Sequence, residues 1–310
     1  MSSHGGGLIP VTVLDERPFW WRKPNIVHEN VIVNFDFHEE IELLVDENGV
    51  VERAECKGNL KASIKISGTP VVRIGLNEPE VLEALQSHDP PVQLEILHFH
   101  CCVERDVRNW NQTLRFVPPD DRFKLIEYRL LNRPAVFPIW ITATERISRA
   151  DRKVVYHIKM KWRFPEAVRC MWGWRAPRPN TVEMKVPVMS GATSPVYRFI
   201  SGPQDFFHTN HSLLRDEFTW DGNYLPTEST CEFRVVLDMP NGPVPEQRPD
   251  PVTLKFEVPH SCVSGIKIMS LNYREFNDFV SPHKKPYFSE DYVTKSKSDG
   301  YQFKIRRLPN

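Results

Sequence analysis

Hydrophobic side chains recur at every second position along much of this chain. Val154, Tyr156, Ile158, Met160, Trp162 and Phe164 alternate with neighbours that include His157, Lys159, Lys161 and Arg163. A spacing of two sends successive side chains to opposite sides of an extended backbone, so the segment predicts a long strand with one buried and one wet face. The rhythm returns at Val182, Met184, Val186 and Val188, and at Cys231, Phe233, Val235 and Leu237. Val252, Leu254, Phe256 and Val258 repeat it, and Tyr301, Phe303 and Ile305 carry it to the C-terminus.

Turn chemistry separates these segments. Glu47-Asn48-Gly49, between Leu43-Leu44-Val45 and Val50-Val51, predicts a hairpin because Asn-Gly readily supplies positive φ. The 27 prolines fall at strand ends such as Pro118-Pro119, Pro138, Pro165 and Pro259, which suits a many-stranded antiparallel protein and discourages long helices. Only Pro79 to Gln86 reads as helical, and briefly. Pro165 to Asn180 interrupts the alternation and reads as a long loop, with Trp172 and Trp174 as packing anchors. Asn241 to Pro251 is a proline-rich loop. The fold class is all-β.

Composition narrows the function. A chain of 310 residues holds one large or two modest domains, and 40 basic against 40 acidic residues leave no global field to attract nucleic acid. No apolar run approaches the roughly 20 residues that cross a bilayer, and Met1 to Gly7 lacks a secretory signal, so the expected compartment is intracellular. The six cysteines are too sparse for a disulfide scaffold and are read as reduced. The two glycosylation sequons, at Asn111 and Asn210, are then chance matches.

Enzymatic signatures are absent from the sequence: it contains no glycine-rich phosphate loop, no G-x-S-x-G and no H-E-x-x-H. Glu39-Glu40 and Asp120-Asp121 would point apart on extended backbone, and Asp120 reads as a turn residue. His98-x-His100-Cys101-Cys102 has zinc-type ligands, but on a strand Cys101 would point away from the other three and no second ligand pair stands at a usual spacing. No enzyme activity, metal or cofactor is expected.

Ordered blocks of the sequence resemble the mu homology domain, the C-terminal part of the medium chains of clathrin adaptor complexes. Trp21-Arg22-Lys23 is similar to the family's opening, and Ser67-Gly68-Thr69-Pro70 leading to Gly75-Leu76-Asn77 resembles its serine-glycine-x-proline segment. Phe99-His100-Cys101-Cys102, Phe116-Val117-Pro118-Pro119-Asp120, Phe256-Glu257-Val258-Pro259 and Ser264-Gly265-Ile266 follow in the family's order. The resemblance implies an elongated, all-β, sandwich-like structure of two subdomains. The first would comprise 20–150 and 259–310, the second, inserted, 151–258, after a flexible linker over 1–19.

The resemblance also implies a site. Relatives bind a tyrosine-x-x-hydrophobic sorting signal as an added strand, with the phenol received by a carboxylate and a cation. Asp36 and Arg73 match those polar anchors, and Ile268, Leu271 and Val293 would line the hydrophobic pocket. Tyr292-Val293-Thr294 replaces the family's tryptophan-valine-arginine, and Asn34 an aromatic. Two readings follow: a cargo-binding adaptor domain, or a divergent, stonin-like or structural member that binds other proteins or phospholipid. As surface residues alone, Asp36 and Arg73 would form an ordinary ion pair.

Lipid contacts would fall to Arg198, Lys284, Lys285, Lys295 and Lys297. The implied partners are cytoplasmic tails of membrane cargo, other adaptor subunits and anionic phospholipid. The implied location is the cytoplasmic side of coated membranes, at plasma-membrane pits, endosomes or the trans-Golgi.

Overall fold

The computed structural model describes residues 20–23, 25–76, 94–104, 113–132, 137–164, 168–170, 173–175, 179, 181–212, 216–241, 249–274 and 288–309. For 168–170, 173–175, 209–212, 274 and 288–296 it describes the backbone alone. The helix expected over 79–86, the linker over 1–19 and Lys284-Lys285 lie outside the described residues.

Among the described residues, the regular structure is β apart from one 3₁₀ turn at Gln204–Phe206. One sheet has nine strands, in the order β14 (Phe207–Ser212), β15 (Glu217–Asn223), β12 (Thr181–Pro187), β17 (Val252–Pro259), β19 (Phe288–Phe303), β1 (Val31–Val45), β2 (Val51–Lys65), β7 (Asp121–Leu130) and β4 (Leu94–Phe99). A second sheet of five runs β13 (Thr193–Ser201), β16 (Glu228–Asp238), β9 (Lys153–Arg163), β8 (Ile139–Ser148) and β20 (Arg306–Arg307). A third of four runs β18 (Ile268–Arg274), β3 (Val71–Leu76), β6 (Thr113–Phe116) and β5 (Val103–Glu104). Neighbours are antiparallel except β1 with β19 and β8 with β20, which are parallel.

The alternation has the predicted result. Val154, Tyr156, Ile158, Met160, Trp162 and Phe164 are all buried, as are the repeats on β12, β16, β17 and the end of β19. The β1–β2 hairpin forms at the predicted turn. Gly49 sits at φ +84°, and Asp46 Oδ1 accepts the amide hydrogens of Asn48 at 2.8 Å and Val50 at 2.7 Å, fixing the loop.

Two details differ from the expectation. The stretch 165–180 is not a plain loop: β10 (Val168–Cys170) and β11 (Gly173–Arg175) pair there as a short hairpin. Strand β4 ends at Phe99, so His100-Cys101-Cys102 belongs to a turn, in which His100 Nδ1 accepts the Cys102 amide at 3.2 Å.

Two apolar cores result. Val33, Phe35 and Phe37 of β1 meet Leu60, Val72, Ile74, Phe116 and Ile126 in the first, which lies between the nine-stranded and four-stranded sheets. Ile41, Leu43 and Val45, farther along the same face of β1, enter the second with β9, β16 and β17. Between them on that face stands Glu39, 1% exposed. Its carboxylate accepts hydrogen bonds from Tyr128 Oη at 2.8 Å and from the amides of Val263 at 2.6 Å and Ser264 at 3.2 Å. Gly58 leaves room for the Tyr128 ring, since a Cβ there would overlap it.

The opening Trp21-Arg22 is structural. Trp21 Nε1 donates to Val117 O at 2.9 Å, and the guanidinium of Arg22 donates to Gly68 O at 2.8 Å, Pro118 O at 3.0 Å and Ile66 O. A buried cation is thus satisfied by three carbonyls where the chain enters the first core.

Candidate functional site

Strand β19 is flanked unequally. On one side β1 pairs with it from Phe288 to Phe303. On the other side β17 pairs only as far as Pro259 opposite Lys295. Among the described residues, nothing pairs with the second side of Phe288–Thr294. Beyond Pro259 the chain crosses to the four-stranded sheet, where β18 is itself an edge strand. Among the described residues, this stretch of β19 and β18 thus each leave one edge unpaired.

The candidate residues divide between these sheets. Asp36 lies between the buried Phe35 and Phe37, so it faces away from the core on the outer side of the nine-stranded sheet. Arg73 lies between the buried Val72 and Ile74 and faces outward from the four-stranded sheet. The fold therefore does not bring them together. Across the ladder Arg73 stands opposite Asn272 and Arg115, and Arg115 is paired with Glu104 at 2.9 Å.

The cation beside Asp36 is Lys61, directly opposite it on β2. Cross-strand partners lie about 5 Å apart at Cβ. Lys61 is exposed, Asp36 is half-buried, and neither is ion-paired among the described residues. Asn34 and Ser63 form the next pair on this outer face, and the Asn34 amide oxygen is buried without a hydrogen bond. Tyr292, Val293 and Thr294 stand in register with Phe35, Asp36 and Phe37, which puts Val293 at the position beside Asp36.

Ile268 is buried in the first core and Leu271 packs against it, both on β18. Of the cations considered for lipid, Arg198 is exposed on β13, and Lys297 is paired with Asp299. Lys295 lies in the part of β19 whose side chains are not described.

Residues 19–305 match the model of the adaptor complexes medium subunit family. The chain belongs to that family. It is 31% identical over 264 residues to the AP-1 complex subunit mu of Dictyostelium discoideum, covering 82% of this chain and 57% of that protein. The chain thus spans less than two thirds of the length of this curated relative.

The fold is that of a mu homology domain. The yeast delta-COP-I mu-homology domain aligns with a TM-score of 0.58 at 13% identity, covering 90% of this chain and 100% of that one. The Fcho1 mu homology domain of Danio rerio, solved with a bound Eps15 peptide, aligns with a TM-score of 0.54 at 11% identity, covering 89% and 98%. Members of the family are trafficking adaptors, cytosolic coat components that work at membranes, rather than enzymes. Among the described residues, no helix is long and apolar enough to cross a membrane.

Proposed function

We propose that this chain is the partner-binding part of a coat adaptor and that it takes an extended peptide as an added strand along Phe288–Thr294. The observation that carries this reading is the half-paired β19, whose second edge, among the described residues, is left over where β17 stops at Pro259. An unpaired edge offers backbone donors and acceptors to any extended segment, and the pockets beside it then select side chains.

The geometry supports a tyrosine-x-x-hydrophobic motif in particular. Side chains of a strand alternate, so residues three apart point to opposite faces. A tyrosine on the outer face would cross β19 at Val293 towards Asp36, about 10 Å away at two strand spacings, while Lys61, one strand farther at about 14 Å, extends its long side chain back over Asp36. The hydrophobe three residues later would point inward, towards Ile268 and Leu271 beside the first core. Asp36 accepts a hydrogen bond from the phenol hydroxyl in this reading, and Lys61 in place of Arg73 supplies the cation.

Calorimetric titration with a tyrosine-x-x-leucine peptide tests it. Micromolar affinity is expected, lost when the peptide tyrosine is alanine or when Asp36→Ala is used, and weakened by Lys61→Ala. Asn34 favours a second reading, because a buried amide stands where relatives place an aromatic to stack on the tyrosine. If the peptide fails to bind at high concentration, the edge serves a different partner sequence and the chain is a divergent member of the family.

A further inference from the structure

The outer face of the five-stranded sheet carries a row of cations that the peptide site does not use. Arg198 on β13 stands directly opposite Arg234 on β16, Arg234 opposite His157 on β9, His157 opposite Thr144 on β8, and Thr144 opposite Arg306 on β20. One straight lane thus crosses all five strands without a carboxylate in it. Arg198, Arg234 and Arg306 are exposed and, among the described residues, unpaired. The nearest acid, Glu232, lies one row away and is already bonded to Lys159 at 2.8 Å, with His157 at 3.6 Å. Like charges directly opposite each other on a sheet repel, so the Arg198–Arg234 pair costs stability in the isolated domain.

We propose that this lane docks an acidic, extended segment of a partner protein. Five strands about 4.8 Å apart make a lane of roughly 19 Å, the length of about six extended residues. Guanidinium forks take carboxylates in bidentate fashion, and an anion laid over the lane removes the Arg198–Arg234 repulsion. A bilayer fits less well. Its phosphates would cover the whole face, including Glu232 in the adjoining row and Glu228 three rows away, whereas a single extended segment touches only the lane.

The test is fluorescence anisotropy with a labelled peptide containing six consecutive aspartates, at low and at physiological ionic strength, on the whole chain. Wild-type binding that weakens with salt is expected, with about a tenfold loss in the exposed double variant Arg198→Glu/Arg234→Glu. Lys57→Glu, on the outer face of the other sheet, should leave the affinity unchanged. Arg234→Gln alone should melt at or above the wild-type temperature, which separates lost binding from lost folding. Binding of the tyrosine-x-x-leucine peptide should not change in the double variant, so the two sites fail or succeed independently. Absence of aspartate-peptide binding, or equal binding by the double variant, overturns the proposal. So does capture by equimolar phosphatidylcholine–phosphatidylserine vesicles without capture of the peptide, which would make the lane a membrane contact.

Discussion

Two buried glutamates in this molecule each accept a hydrogen bond from a tyrosine hydroxyl, yet they are held in opposite ways. Glu145, 1% exposed on β8, takes the Tyr156 hydroxyl at 2.8 Å and the guanidinium Nε of Arg307 at 2.6 Å. The cation neutralises the carboxylate and clamps β20 to the second core. Among the described residues, the donors to Glu39 are neutral: the Tyr128 and Ser264 side chains and the amides of Val263 and Ser264. Burial pushes its pKa up, and hydrogen bonds from Ser264, Tyr128 and Val263 offset part of that rise. Tyr128, in turn, is pushed upward by burial and by the neighbouring carboxylate. The polar anchor of the crossover from β17 to β18 is a set of neutral hydrogen bonds, whereas that of the C-terminal strand is an ion pair.

Substitutions can break that comparison from either side. The largest expected loss is at Gly58, where alanine would drive a methyl into the Tyr128 ring. With the ring tied to Glu39, urea denaturation should show a loss of about 3 kcal/mol. Arg307→Met leaves the Glu145 carboxylate buried without its cation. Because Arg307 is 28% exposed, the expected loss is about 2 kcal/mol, below the figure for a fully buried pair. Glu39→Gln keeps the shape but turns an amide NH₂ towards donors, and should cost about 1 kcal/mol at neutral pH.

The smallest effect concerns pH. A raised folded-state pKa means that the contribution of Glu39 is fully present below its unfolded value, near 4.5, and is lost as pH rises through the folded value. The stability advantage of wild type over Glu39→Gln should therefore be greater at the acidic end of that window than at neutral pH. A flat or inverted difference in paired denaturation curves would mean that neutral donors hold the carboxylate as well as a cation does.

Much of the fold was legible because the informative pattern is local. Each buried series on β9, β12, β16 and β17 sits within one strand, and Asn48-Gly49 marks its own turn. The site was less legible because it depends on register. Counting outward from Val45 opposite Val51 would put Leu60 across from Asp36. The shift between Leu44 and Val45 moves the partner to Lys61, and such a one-residue slip exchanges the faces of every side chain. Arg73 follows a conspicuous turn in the sequence but folds onto a different sheet. The three arginines of the lane, Arg198, Arg234 and Arg306, come from strands far apart in the chain, and no short window of sequence contains them. Glu39 read only as one of two adjacent carboxylates that point apart, although it lies on the same alternating face as Phe37 and Ile41.

The parallel pairing of β1 with β19 also sets an order of assembly. β1 and β2 can form their hairpin early, but the other edge of β1 has no partner until residues 288–303 have been synthesised. At typical translation rates of about 5–20 residues per second, that edge stays open on the ribosome for some tens of seconds. Throughout this interval it is a template for wrong pairing between nascent chains, and Glu40 and Glu42, exposed along it, repel an identical strand.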